Sequence, residues 1–130
     1  MKHVLIVDDE PSVARVLKLT LEKAGWQVTW APDGQVALEW LRKATEPPTA
    51  VITDIQMPRM NGRELVGAIE AEWPARDYPI YVMTSMTERE ERHWVGALHR
   101  VHFLEKPLSP RLLVATLAHE AVTGFGDFHG

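Results

Sequence analysis

Short apolar runs rich in β-branched residues alternate along the chain with longer amphipathic stretches. The first run is His3 to Val7. Pro11 follows, suited to the first turn of a helix, and Val13, Val16, Leu17, Leu21 and Ala24 then recur at helical spacing until Gly25 closes the segment. Trp26, Val28 and Trp30 alternate as one face of a second strand. Asp33-Gly34 opens a helix carrying Val36, Ala37, Trp40 and Leu41. After the Pro47-Pro48 loop, Ala50 to Thr53 forms a third strand. Asn61-Gly62 opens a third helix with Leu65, Val66 and Ile69, which ends near Trp73-Pro74.

The alternation continues with a fourth strand from Pro79 to Met83 and a fourth helix, for which Thr87 and Glu90 form a capping box. A short fifth strand, His102 to Leu104, precedes a last helix that Ser109-Pro110 caps and opens, with Leu112, Leu113, Leu117 and Ala121 along it. Residues 1–122 read as one domain and 123–130 as a loose C-terminal tail. Successive β–α units predict an α/β fold, a doubly wound parallel sheet with helices on both faces, because right-handed crossovers permit little else. In such sheets ligands bind beyond the carboxyl ends of the strands.

Composition narrows the classes. The 130 residues, 45% hydrophobic and 25% charged, suit a single globular domain. No apolar run approaches the roughly 18 residues of a membrane span, and the N-terminus lacks the pattern of a signal peptide, so a cytoplasmic protein without a membrane partner is expected. The absence of cysteine excludes disulfides and thiolate metal sites. A net charge of −4 argues against direct nucleic-acid binding.

The expected strand ends carry a particular chemical set. The first ends in Asp8-Asp9-Glu10, the third in Asp54, the fourth in Thr84-Ser85 and the fifth in Glu105-Lys106-Pro107. Crowded carboxylates either bind protons more tightly or require a cation. An all-oxygen donor set suits Mg²⁺, which accepts one or two carboxylates together with water and phosphate oxygens. One carboxylate can then serve as a nucleophile toward phosphorus, with a hydroxyl donating to the phosphoryl oxygens and Lys106 supplying a point charge for a phosphate oxygen or for the acceptor carboxylate. Taken singly each group has an ordinary reading. Asp8 and Asp9 could begin a helix, Asp54 could shape a turn, Lys106 could lie along the surface, and Thr84 or Ser85 could cap a turn. The scattered histidines do not form a zinc ligand set, and the five tryptophans read mainly as core, with Trp94 set apart as a candidate partner contact.

Four segments in order, Val7-Asp8-Asp9-Glu10-Pro11, Thr53-Asp54-Ile55-Gln56-Met57-Pro58-Arg59-Met60-Asn61-Gly62, Met83-Thr84-Ser85 and Phe103-Leu104-Glu105-Lys106-Pro107, resemble the receiver domains of two-component response regulators. The resemblance runs from residue 3 to about residue 120. It implies a flavodoxin-like (βα)5 fold with strand order 2-1-3-4-5. It also implies that Asp54 accepts a phosphoryl group from a phosphohistidine of a sensor histidine kinase or histidine phosphotransfer protein. Asp9, Asp54 and the backbone carbonyl of Gln56 would hold Mg²⁺, with Asp8 acting through water. Lys106, aimed by a cis Lys106-Pro107 peptide, would be the family's site lysine, and Thr84 with Phe103 would form a switch. The switch would alter the surface around the fourth helix, fifth strand and fifth helix, where a downstream protein binds. Gln56 and Met86 would influence the lifetime of the phosphoryl group.

The implied protein is a phosphoacceptor with self-catalysed transfer and autodephosphorylation rather than a conventional enzyme. It stands alone or forms part of a larger regulator or hybrid kinase. An aspartate-nucleophile phosphatase would share the Asp, Thr, Lys and Mg²⁺ but needs an acid two positions after the nucleophile, where this chain has Gln56. One departure from the family is His99-Arg100-Val101-His102 in place of a small Gly-Ala pair, which predicts either strain at His99 or a helix that ends differently.

Overall fold

The computed structural model describes residues 2–84, 100–106 and 108–126. Five parallel strands, β1 (His3–Val7), β2 (Gln27–Ala31), β3 (Ala50–Asp54), β4 (Ile80–Thr84) and β5 (Val101–Glu105), lie in the order 2-1-3-4-5. Among the described residues four helices connect or follow them: α1 (Pro11–Lys23), α2 (Gly34–Lys43), α3 (Gly62–Glu72) and α4 (Pro110–Gly126). The fold is flavodoxin-like, as expected. The expected fourth helix with its Thr87 and Glu90 cap, together with Ser85, Met86, Trp94, His99 and the position of Pro107, lies outside the described residues.

The central strands are buried on both faces, which explains their continuous apolar character. Alternation divides them between two cores. Leu5, Val7, Val51 and Val82 face Leu38, Leu41, Leu65 and Ile69 of α2 and α3. Val4, Ile6, Ile52 and Met83 face Leu17, Leu21, Leu113 and Leu117 of α1 and α4. A change of one residue in strand register would exchange these two sets, so the packing specifies the register strongly.

The structure corrects several local expectations. On α1 the buried positions are Ala14, Leu17 and Leu21, whereas Val13 and Val16 are 37% and 52% exposed. Trp26 precedes β2 instead of sharing its face, and is buried against the α1 side of the sheet, while Trp30 is 40% exposed. Leu112 points outward at 64% exposure, and Leu113 and Leu117 supply the packing of α4. Strand β5 is longer than expected, and α4 continues to Gly126, past residue 122. Gly25, with φ of 92°, ends α1 as expected. The left-handed residue described before β5 is Arg100, with φ of 53°. Its guanidinium donates to the carbonyl of Asp77, a contact that helps hold a conformation unfavourable for a residue with a Cβ.

Candidate functional site

The carboxyl ends of β1 and β3 are adjacent because β1 pairs directly with both β2 and β3. This places the acids at the end of β1 beside Asp54, the last residue of β3. One carboxylate oxygen from each of Asp8, Asp9 and Asp54 lies within 4.8 Å of the others. Asp8 and Asp54 are buried, whereas Asp9 is exposed. Burial pushes the Asp8 carboxyl up to about 6, opposed by the Glu10 N–H donated to it and reinforced by the charge of Asp54. Two buried acids and an exposed one, arranged around a shared space, fit a hard divalent cation that retains several waters.

Several contacts hold Asp8 in position. Its N–H donates to the carbonyl of Ala31 at 3.1 Å, and its own carbonyl accepts from the indole Nε1 of Trp30 at 2.8 Å. Its Oδ1 accepts from Glu10 N at 2.9 Å. The indole of Trp30 thus lies at the edge of the acid cluster, a position that strand alternation alone did not reveal.

Asp54 is oriented as firmly. Its Oδ1 accepts from Ile55 N at 2.8 Å and from Lys106 Nζ at 2.9 Å. Among the described residues no hydrogen bond reaches its Oδ2. The backbone N–H of Lys106 donates to the Thr84 carbonyl at 2.7 Å, extending the β4–β5 pairing by one step and directing the lysine toward β3. Thr84 is fully buried at the end of β4. Phe103 pairs across from Val82 and packs, half-buried, against the α2–α3 core. Gln56 is exposed on the loop just after β3.

That loop returns closely upon Asp54. Gly62 N donates to the Ile55 carbonyl at 2.8 Å, and a Cβ on Gly62 would meet the Asp54 carbonyl oxygen at 2.0 Å. Asn61 and Glu64 complete a reciprocal capping box at the start of α3, with bonds of 2.9 and 3.0 Å. The sequence indicated a helix start at Asn61-Gly62 but not the steric need for glycine. An ion pair between Arg59 and Asp33 also flanks the loop, and no periodicity or motif signals it.

Comparison with known proteins agrees with this geometry. Residues 4–118 match the family described as the response regulator receiver domain. The chain is 31% identical over 110 residues to the alkaline phosphatase synthesis transcriptional regulatory protein PhoP of Bacillus subtilis, covering 85% of this chain and 44% of PhoP. It is 30% identical over 129 residues to the response regulator SaeR of Staphylococcus aureus, covering 99% of this chain and 54% of SaeR. The chain therefore spans about half the length of these curated relatives. The solved structure of the chemotaxis protein CheY4 of Vibrio cholerae superposes with a TM-score of 0.80 at 34% identity, covering 92% of this chain and 98% of that one. By sequence match and by fold, the chain belongs to the response regulator receiver domains of two-component signalling systems.

Proposed function

We propose that the chain is a phosphorylation-driven switch in which Asp54 accepts a phosphoryl group from a phosphohistidine of a sensor histidine kinase or phosphotransfer protein. One observation carries this reading above all: Lys106 Nζ and Ile55 N both bind Oδ1 of the buried Asp54. The second oxygen, Oδ2, is then the nucleophile. It forms a bond to phosphorus as the phosphorus–nitrogen bond breaks. The imidazole departs with the electron pair of that bond and regains a proton from water, leaving an acyl phosphate on Asp54.

Asp9, Asp54 and the carbonyl of Gln56 would hold Mg²⁺ directly, with Asp8 acting through water. When bound, the cation supplies charge neutralisation for the three phosphoryl oxygens. Lys106 holds Asp54 in place beforehand and compensates added negative charge afterward. Thr84 is positioned at the end of β4, from which its hydroxyl donates to a phosphoryl oxygen on the neighbouring strand end. Movement of Thr84 toward the phosphoryl group would open space for the Phe103 ring and repack the surface around β5, a shift between two packings. A downstream protein reads that surface.

Incubation with a small phosphodonor such as phosphoramidate and Mg²⁺ tests the assignment by intact-protein mass measurement. One phosphoryl group is expected on the wild type and none on Asp54→Asn. Equal labelling of the variant would remove Asp54 as acceptor.

A further inference from the structure

The loop between β3 and α3 is held from a direction that the acid cluster itself does not explain. Two consecutive loop residues meet two consecutive residues at the start of α2. Arg59 donates through Nε and Nη2 to Oδ2 of Asp33, at 3.0 and 2.5 Å. The carbonyl of Met60 accepts from Gly34 N at 2.9 Å. Asp33 is buried, and its Oδ1 simultaneously caps α2 by accepting from Val36 N at 3.0 Å. Burial alone would raise the Asp33 carboxyl, but the Val36 N–H and the Arg59 guanidinium outweigh it and hold the group below its ordinary value.

Arg59 adopts φ of 63°, a left-handed conformation unfavourable for any residue bearing a Cβ. That conformation turns the Arg59 side chain toward Asp33 while the next carbonyl faces Gly34. The contact is close: a Cβ on Gly34 would meet the Met60 oxygen at 2.6 Å. The ion pair thus opposes a local backbone preference. Glycine at position 59 would satisfy the backbone better but would have no side chain to reach α2.

The other end of this network returns to the acids. Ala31, two residues before Asp33, accepts from Asp8 N, while the loop begins at Ile55, whose N–H orients Asp54. The ends of β1, β2 and β3 are consequently joined around the site, with Arg59 bridging to the side opposite Lys106. We propose that Asp33 and Arg59 are positioning residues for the cation site, holding the loop from which Gln56 would offer its carbonyl to a cation bound by Asp8, Asp9 and Asp54. This rests on reading the acid trio as a divalent-cation site. Arg59 neither touches the reacting groups nor neutralises them; it acts through the backbone of the loop.

Two variants separate this role from ordinary structural support. Asp33→Asn retains an effective helix cap while removing the charge that holds Arg59. Arg59→Gly removes the pair while relieving the left-handed backbone. Binding of Mn²⁺, followed by loss of the free-ion electron paramagnetic resonance signal, is expected to weaken about tenfold in each, the low end of effects seen when residues supporting metal ligands are removed. The urea midpoint of Arg59→Gly is expected to stay near that of the wild type, the relieved left-handed backbone offsetting the lost partner of Asp33. Arg59→Lys recovers part of the Mn²⁺ affinity. Phosphorylation by phosphoramidate is slowed at low Mn²⁺ and returns to the wild-type rate at saturation.

Asp9→Ala is the control. If it loses Mn²⁺ binding while Asp33→Asn and Arg59→Gly bind as tightly as the wild type, the positioning role is overturned and the cation site stands. If the wild type itself binds no Mn²⁺, the cation reading is overturned and the positioning role with it.

Discussion

Gly62 and Asp54 approach so closely that a Cβ on the glycine would stand 2.0 Å from the aspartate carbonyl oxygen. The start of α3 therefore sits directly on the backbone of the proposed acceptor. Gly62→Ala must displace either the helix or the end of β3. A loss of about 3 kcal/mol in urea unfolding is expected from such overpacking against backbone, together with slower phosphorylation of the folded fraction. Unchanged stability would mean that the helix start moves away without resistance.

Lys106 binds the buried Asp54 carboxylate at 2.9 Å while remaining one-third exposed itself. Lys106→Ala leaves Asp54 beside Asp8 without that cation. The metal-free variant is expected to lose about 1–2 kcal/mol, less than a fully buried pair because water reaches the lysine. It should still accept some phosphoryl group but fail to change its binding to a partner. Partner binding that switches normally in the variant would exclude Lys106 as the coupling group.

Asp8 predicts a pH dependence of known sign. Its carboxyl is raised from 3.8 to about 6 in the folded protein, chiefly by burial. The folded state then holds the proton more tightly than the unfolded chain, so metal-free stability falls as pH rises from about 4 through about 6 and levels off above. The contribution is about 2 kcal/mol after allowance for solvent screening. Asp8→Asn should remove this slope and stabilise the metal-free protein at pH 7, as urea unfolding at pH 5 and pH 7 would show. A slope that persists in the variant would assign it to other groups.

Trp30 donates its indole N–H to the Asp8 carbonyl while its ring stays partly open to solvent. Cation binding at the acids should therefore alter its fluorescence. Trp30→Phe is expected to lose most of that change and about 1 kcal/mol of stability through the missing hydrogen bond. A full Mg²⁺ response in the variant would show that another tryptophan reports the site.

Much of this molecule was legible in local pattern. Continuous apolar runs between Gly, Pro and Asn signals located β1, β3 and β4, and Pro11, Gly25 and Asn61 marked helix ends that the structure retains. The acids and the lysine were visible because each lies at or just past the end of a strand, and parallel topology places all strand ends of one sense along one edge. The faces of α1 were less clear. Val13 and Val16 fit a helical stripe as well as Ala14 does, and only the position of the sheet decides which of them is covered.

The sequence by itself determined the elements found among the described residues and the chemical types at the strand ends, because these depend on periodicity and short-range backbone preference, while the strand order was legible only through the resemblance to a family. Tertiary structure alone decided the contacts of Trp30 with Asp8 over 22 residues and of Arg59 with Asp33 over 26, and it chose the acceptor carboxylate, 52 residues away, from the two partners the sequence left open for Lys106. It also decided which acid loses its water. Desolvation and hydrogen-bond geometry belong to the packed arrangement of several strands, and no single segment of the chain encodes them.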